Sequence, residues 1–261
     1  MLSNVDIKRA LGKRIGIYPF NGENLEGSSI YLTASDLAWS INSKKKAIDS
    51  EGCIIIEPHD TVAIITVESV CLGSNYAGYC ISRVSSGPHG LGAISYPVKP
   101  QWIGRLLITL HNYSNDAYQI EKGERIAVLT IHRLDNNSEN SDPKQNSRFE
   151  LLSEVGIQVN KEDIANINQK CYTIDKVLFD CMRTSDSYKK YMRIYSPFWN
   201  KKRIAQTVTI AIMLVILIVL GIVIFNLHNE NGRTIVSASF GTILTYLLII
   251  VKDIIQDIKG D

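Results

Sequence analysis

TVAIITVESVCL (Thr61–Leu72) is the stretch on which the fold class turns. It is apolar and β-branched, without the three-and-four spacing of a helix, and so reads as a strand. GRLLITLHN (Gly104–Asn112) and RIAVLTIHRL (Arg125–Leu134) read the same way. Breakers stand around them: Gly73-Ser74-Asn75, Ser86-Gly87-Pro88, Tyr113-Ser114-Asn115-Asp116 and Lys122-Gly123. Short strands with frequent turns predict a mainly β domain over residues 1–134, built as a sandwich, jelly roll or barrel. A short helix is expected to open it, capped by Ser3 with Asp6 three positions on.

The whole chain of 261 residues carries 28 Lys+Arg against 26 Asp+Glu, a net charge of +2, which gives no electrostatic case for a nucleic-acid partner. The opening Met1-Leu2-Ser3-Asn4-Val5-Asp6 has no apolar core, so no cleaved signal peptide is expected. Cys53, Cys71, Cys80, Cys171 and Cys181 form no C-x-x-C pair and read as reduced thiols of a cytosolic domain. His59, His89, His111, His132 and His228 lack metal-ligand spacing, and no P-loop occurs. Gly87-Pro88-His89-Gly90-Leu91-Gly92 lacks the strand–helix context of a phosphate loop and reads as a turn. No metal or cofactor is called for.

Asp135 to Arg148 reads DNNSENSDPKQNSR, too polar to bury a core, and residues 135–160 are expected to form a polar linker. From Lys161 the apolar positions fall into helical spacing: Ile164, Ile167, Cys171, Ile174, Leu178 and Cys181, continued by Ser185, Tyr188, Met192 and Tyr195. Residues 161–200 are therefore expected to be a helical stalk, either seamed to other helices or lying as one amphipathic helix on its own domain.

Residues 201–261 carry two uncharged runs. Ile204 to Leu227 would be roughly 36 Å long as a helix, enough to cross a hydrocarbon layer of about 30 Å. Thr234 to Val251 is shorter and more polar. With the joint His228–Arg233 between them, they are expected to form a transmembrane hairpin ending in a short cytoplasmic tail. Lys189, Lys190, Arg193 and Lys201-Lys202-Arg203 precede the first run, only Arg233 lies in the joint, and Lys252 and Lys259 follow the second. The positive-inside rule then makes the chain a multi-pass protein of the inner (cell) membrane, with the N-terminal domain and C-terminus cytoplasmic. Tyr191, Tyr195, Phe198 and Trp199 suit a headgroup layer. Ser237, Gly241 and Thr245 recur every fourth residue, with Ala238 and Thr242 alongside, and are expected to let helices pack closely in lipid.

The order of motifs in residues 1–134 resembles the dCTP deaminase / dUTPase superfamily, its deaminase branch above all. MLSNVDIKRAL (Met1–Leu11) and GIYPF (Gly16–Phe20) look like that family's first helix and strand, and LEGSSIYL (Leu25–Leu32) stands at its Q-P-A-S-x-D-L segment. TVESVCL (Thr66–Leu72) resembles T-x-E-x-V-x-L, and SRVSS (Ser82–Ser86) stands at G-R-S-S-L. PQWIG (Pro100–Gly104) stands at P-G-W-x-G with Asn112 following, and KGERIAVLTI (Lys122–Ile131) resembles the closing G-x-x-I-A-Q-L strand. The resemblance implies a dUTPase-like β-barrel or jelly roll. The same comparison shows departures. The deaminase glutamate falls at Thr109, the dUTPase-type aspartate at Lys99, the first serine of the S-S pair at Val84 and the closing glutamine at Val128. The K-Y-x-x-Q lid is absent, with only Ser147-Arg148-Phe149 near it in character.

General acid–base work needs a titratable group in reach, and neither Thr109 nor Lys99 supplies what the family uses. The chain is therefore expected to be a pseudoenzyme with no catalytic residue, whose pocket binds a nucleotide, linear or cyclic. By the resemblance, Arg83, Ser85 and Ser86 would hold phosphate, the 92–104 hairpin near Ile94 and Ser95 would hold a pyrimidine-like base, and Trp102 would stand with them. A fold kept only for trimer contacts, and residual catalysis by another arrangement, remain open beside this. Superfamily members are generally homotrimers, so a homotrimer or higher homo-oligomer is implied. The leading functional reading is a nucleotide-sensing membrane effector whose hairpins permeabilise or depolarise the bilayer, set by analogy of architecture in bacterial antiviral defence or stress signalling. The alternatives are a membrane-tethered nucleotide deaminase or pyrophosphatase, and a plain anchored scaffold.

Overall fold

The computed structural model describes residues 1–139, 147–195, 209–219, 222 and 240–245. They fall into two units, Met1–Lys190 and Tyr191–Asp261. In the first unit, helix α1 (Asn4–Ala10) is followed by strands β1 (Ile15–Tyr18), β2 (Leu25–Glu26), β3 (Ser29–Ser40), β4 (Ile54–Ile56), β5 (Thr61–Leu72) and β6 (Tyr76–Ser82). Then come β7 (Leu91–Ala93), β8 (Tyr96–Val98), β9 (Ile103–Asn112), β10 (Tyr118–Ile120) and β11 (Arg125–Arg133). Helices α2 (Leu151–Glu154), α3 (Lys161–Ile167), α4 (Lys170–Thr173), α5 (Asp175–Thr184) and α6 (Asp186–Tyr195) complete the described elements.

The expected opening helix is present with its capping box. Asp6 N–H donates to Ser3 Oγ at 3.2 Å, and Ser3 N–H donates back to the Asp6 carboxylate at 3.3 Å. The main sheet runs β7-β9-β5-β3-β11-β6-β8, with β1 also on β5 and β2 on β3; β4 and β10 pair separately. Its two ends are β7 and β8, and only Ile94 and Ser95 separate these strands in the chain. An open flat sheet cannot bring its outer strands within two residues of each other, so this one is rolled into the barrel-like form expected of the sequence. Register shifts between Ala34 and Ala38 in β3, and between Ile65 and Ser69 in β5, supply the bends.

β5 shows why the decisive stretch runs apolar rather than alternating. Val62 and Ile64 to one side, Ala63 and Ile65 to the other, are all fully buried. Ala63 and Ile65 join Leu37 and Trp39 in a cluster closed by Leu152, Ile157 and Ile167, with Leu107, Phe149 and Val159 packed against it. Residues 147–159 are thus no polar linker. Leu152 and Ile157 leave water against the sheet, which a disordered tether would not permit.

The helical spacing from Lys161 onward is divided among α3 to α6, so the continuous seam is not formed. Ile167, Leu178 and Met182 are buried on the β domain instead. Ile17 N–H lies 3.2 Å from Met182 Sδ, and Arg183 Nε donates to Gly12 O at 2.9 Å. Gly16 lets Leu178 pack closely, because a Cβ there would come within 2.5 Å of Leu178 Cδ2. Asn168, and Ser185 with φ −65° and ψ 142°, interrupt the helical run.

In the second unit, residues 209–219 and 240–245 are helical. Most of the two runs expected to cross a membrane lies outside the described residues, and among those described no helix is long and apolar enough to do so. Of the small-residue series, Ser237 lies outside; Gly241 and Thr245 stand one turn apart, with Thr245 Oγ1 donating to Gly241 O at 2.9 Å.

Truncating Leu178 to alanine leaves a cavity over Gly16, and such losses typically cost about 2–5 kcal/mol. We expect urea unfolding of full-length Leu178→Ala to shift to lower denaturant by that amount. An unmoved midpoint would mean that α5 contributes nothing to the stability of the β domain.

Candidate functional site

The site expected from the sequence starts where β6 ends. Arg83 precedes a short 3-10 helix, Val84–His89, which Gly90 closes in the left-handed region at φ 74°. Ser82 fixes the neighbouring hairpin: its Oγ accepts from Ala93 N–H at 2.7 Å and donates to Ala93 O at 3.3 Å. Arg83, Ser85 and Ser86 on one side, and Ile94 and Ser95 on the other, therefore flank the same Ser82–Ala93 contact, at the seam where the sheet's two ends meet. Ser85 and Ser95 are exposed, Ser86 half-buried, and the apolar Val84 and Ile94 stand 93% and 72% exposed.

Arg83 is not idle. Its guanidinium donates to the Arg125 carbonyl and lies 3.9 Å from Glu124 Oε1, so it ties β6 to the start of β11. Trp102 stands apart from the others. It is buried in the core, its indole N–H donates to Gly104 O at 3.1 Å, and the Arg148 guanidinium lies 5.5 Å from its ring centre. Lys99 is exposed, and Thr109 is half-buried on β9, opposite Ala63. Thr109 shares its face of β9 with Leu107, beside the apolar cover formed by residues 149–167.

A carboxylate that the motif reading left without a role lies at the same end of the sheet as Arg83. Arg125, whose carbonyl Arg83 holds, is paired with Thr33 of β3. Thr33 donates its N–H to Glu68 Oε2 at 2.8 Å and its hydroxyl to Oε1 at 2.7 Å. Glu68 is only 4% exposed, inside the register shift of β5. It edges a cleft of about 470 Å³ shared with Asn24, Lys122 and Arg125. Both cations there are engaged. Arg125 reaches Asn24 Oδ1 at 3.0 Å and Glu26 Oε1 at 2.9 Å, and Lys122 pairs with Asp36 at 2.7 Å. Burial pushes the Glu68 carboxyl above the usual range, partly offset by the Thr33 donors and by the positive field of Arg105. The sequence signal was available: Glu68 is the one charged residue in the apolar run Thr61–Leu72.

All five cysteines are free thiols, and burial pushes those of Cys71 and Cys80 up to about 12, which makes them poor nucleophiles. Among the described residues no group of His, Cys, Asp and Glu could hold a metal ion.

The family model described as "DCD: dCTP deaminase-like" matches residues 1–134. The chain belongs to the dCTP deaminase-like family. The dCTP deaminase of Pyrococcus horikoshii is 31% identical over 135 residues, spanning 51% of this chain and 81% of that one. The dCTP deaminase of Thermococcus gammatolerans is 32% identical over 124 residues, 47% of this chain and 78% of that one. A crystal structure of 2'-deoxycytidine 5'-triphosphate deaminase from Agrobacterium tumefaciens aligns with a TM-score of 0.43 at 12% identity, over 60% of this chain and 54% of that one.

These relatives correct the expectation that the chain is not an enzyme. They match the β domain at about 30% identity and carry an enzyme's name. Thr109 and Lys99 remove two side chains that could move protons, but they do not remove the fold's capacity to offer another carboxyl.

The raised carboxyl of Glu68 has a consequence for stability. The folded protein holds that proton to higher pH than the unfolded chain does. Its contribution is therefore fully present below the ordinary glutamate range and is lost as pH rises through the folded value. Glutamine resembles the protonated form: its amide oxygen can accept the Thr33 N–H while its amide nitrogen donates to Thr33 Oγ1. We expect Glu68→Gln to melt above the parent at pH 8, with the gap closing toward pH 4. A gap independent of pH would show that Glu68 is ionised with its ordinary affinity.

Proposed function

We propose that the β domain binds a pyrimidine deoxynucleotide, with dCTP the first candidate, at the seam between the Arg83–Ser86 turn and the Ile94–Ser95 hairpin. The carrying observation is the convergence on Ser82 and Ala93 of the hydroxyl-bearing turn and the hairpin, at the end of the sheet where Arg83 holds Arg125. Arg83 offers its remaining N–H groups to phosphate, Ser85 and Ser86 offer hydroxyls, and the hairpin backbone offers donors and acceptors to a base. Deamination of dCTP, the activity in the relatives' name, is the first reaction to test, and Glu68 is the buried carboxyl available for proton transfer.

The domain works in an oligomer on this reading. Val84 and Ile94 are exposed at the seam, with Tyr79 and Ile81 on the adjoining strand, and a partner copy would cover them. The C-terminal region is the membrane part. Its support is the pair of uncharged runs, the basic flanks that orient them, and the exposed Ile212, Val215, Ile216 and Ile218 on helical residues 209–219. Nucleotide binding would then bias the membrane segment through its differential affinity for two states of the assembly, which makes the chain a nucleotide-responsive membrane protein. Its setting in antiviral defence rests on architecture alone.

Calorimetry of dCTP against the full-length chain in detergent, with chromatography of the nucleotide afterwards, tests the core of this. We expect saturable binding, and Arg83→Ala should weaken it roughly ten- to a hundredfold, the range of a charge-assisted hydrogen bond. Binding equal to the parent's would move the pocket elsewhere. For the membrane part, Gly241→Leu should preserve insertion and abolish any nucleotide-dependent change in a voltage-sensitive dye, because leucine holds helices apart. A variant as active as the parent would remove Gly241 from the working surface.

A further inference from the structure

At the other end of β6 lies a group of cations that neither the Arg83 seam nor Glu68 uses. The turn after α1 carries Lys13 and Arg14, both exposed. Backbone bonds hold the surroundings in place. Gly73 N–H donates to Arg14 O at 2.7 Å, Leu134 N–H to Asn75 O at 2.8 Å, and Ser138 N–H to Ser74 O at 2.8 Å. The α1–β1 turn, the β5–β6 turn and the exit of β11 are thereby fastened together. Two clefts adjoin here and share Lys13 and Arg14 as a wall. The larger, about 720 Å³, is lined also by Ile103, Ile174 and Phe179; the smaller, about 510 Å³, adds Arg9 and Arg133.

Four cations thus line the pair of clefts against two carboxylates, Asp6 and Asp175. Among the described residues no carboxylate lies within ion-pair distance of Lys13, Arg14 or Arg133; Arg9 is 3.9 Å from Asp6. Arg14 Nη1 faces the neutral Asn75 Oδ1 at 3.5 Å, which leaves the rest of its donor fork available. Basic residues often complement a helix C-terminus, and that accounts for Lys8 and Arg9 in the last turn of α1. It does not account for Lys13 and Arg14, which lie beyond the cap, or for Arg133, which arrives on β11. Converging like charges without counter-charges repel one another, and a bound anion relieves that repulsion.

We propose that this cleft is a phosphate-binding site, separate from the Arg83 seam. Arg14 and Lys13 engage the phosphate, Arg133 stands at the rim, and the less polar remainder of the ligand lies along Ile103, Ile174 and Phe179. β6 starts beside the cleft and ends at Arg83, so the two sites stand about 20 Å apart at the rise of a strand. A soluble nucleotide phosphate and a phospholipid headgroup share this chemistry. The proposal does not depend on the reading of the Arg83 seam.

The test uses the full-length chain in detergent, carrying Arg83→Ala so that the seam does not compete. Calorimetric titrations are run with inorganic pyrophosphate, with dioctanoyl phosphatidic acid, and with dioctanoyl phosphatidylcholine as the zwitterionic control. We expect saturable binding of at least one of the first two, weakened about tenfold or more by Lys13→Gln with Arg14→Gln and less by Arg133→Gln. Pyrophosphate binding assigns a soluble ligand, and binding of phosphatidic acid alone assigns a lipid. The proposal is overturned if neither probe binds, if the Lys13/Arg14 double variant binds as its parent does, or if phosphatidylcholine binds equally well. Arg133→Gln, on a different element, guards against a misfolded turn, and urea unfolding of each variant checks the fold.

Discussion

The constraint on which the rest of the structure depends is the change of partner along β5. One edge of this strand pairs with β3 through Val62 to Thr66, then with β1 through Ser69 to Leu72, while β9 pairs along the opposite edge on both sides of the break. At residues 66–68 the ladder is interrupted, and side chains take over its hydrogen bonds. The Glu68 carboxylate accepts the Thr33 N–H, Thr66 Oγ1 accepts the Leu106 N–H at 2.9 Å, and Arg105 Nε donates to Thr66 O at 2.5 Å. A buried backbone group without a partner is costly, so the bend can exist only because these polar side chains are there. The bend in turn lets the sheet roll until β7 and β8 are separated by two residues.

Rolling the sheet leaves an outer face to cover, and the chain beyond the β domain covers part of it. Phe149, Leu152, Ile157, Val159 and Ile167 lie on β3, β5 and β9, while Leu178 and Met182 lie on β1. Because Gly16 has no Cβ, Leu178 of α5 packs closely against β1, and a larger residue there would push its side chain aside. Helices α2 to α5 therefore belong to the same unit as the sheet. A displacement of α5 would have to break the bond between Arg183 and Gly12 O and re-expose Leu178.

At the candidate seam, the residue proposed to meet phosphate also holds the architecture together. The motif around Val84-Ser85-Ser86 suggests Arg83 as a phosphate ligand but gives no sign that it holds the start of β11. That role appears only when residues 83 and 125 meet across the sheet. The resemblance places Trp102 with the ligand contacts, yet the chain turns it inward, where its N–H is satisfied by Gly104. Thr109 and Lys99 argue against turnover only if the motif positions are the sole sources of a carboxyl. The tertiary structure adds Glu68, whose distance in sequence from Arg83 hid its place at the same end of the sheet.

The sequence by itself determined the class of the N-terminal half, the capped first helix and the family, because these rest on local composition and on motifs in order. It also marked the uncharged runs near the C-terminus by composition alone. Only the tertiary structure decided where the later helices lie. The spacing from Ile164 to Tyr195 is equally compatible with a seam between helices and with helices laid on a sheet. An amphipathic pattern states that a face must be buried but not against what. Here the answer depended on Gly16, on the bare outer face of β5 and on the bond from Arg183 to Gly12 O, contacts between residues far apart in the chain.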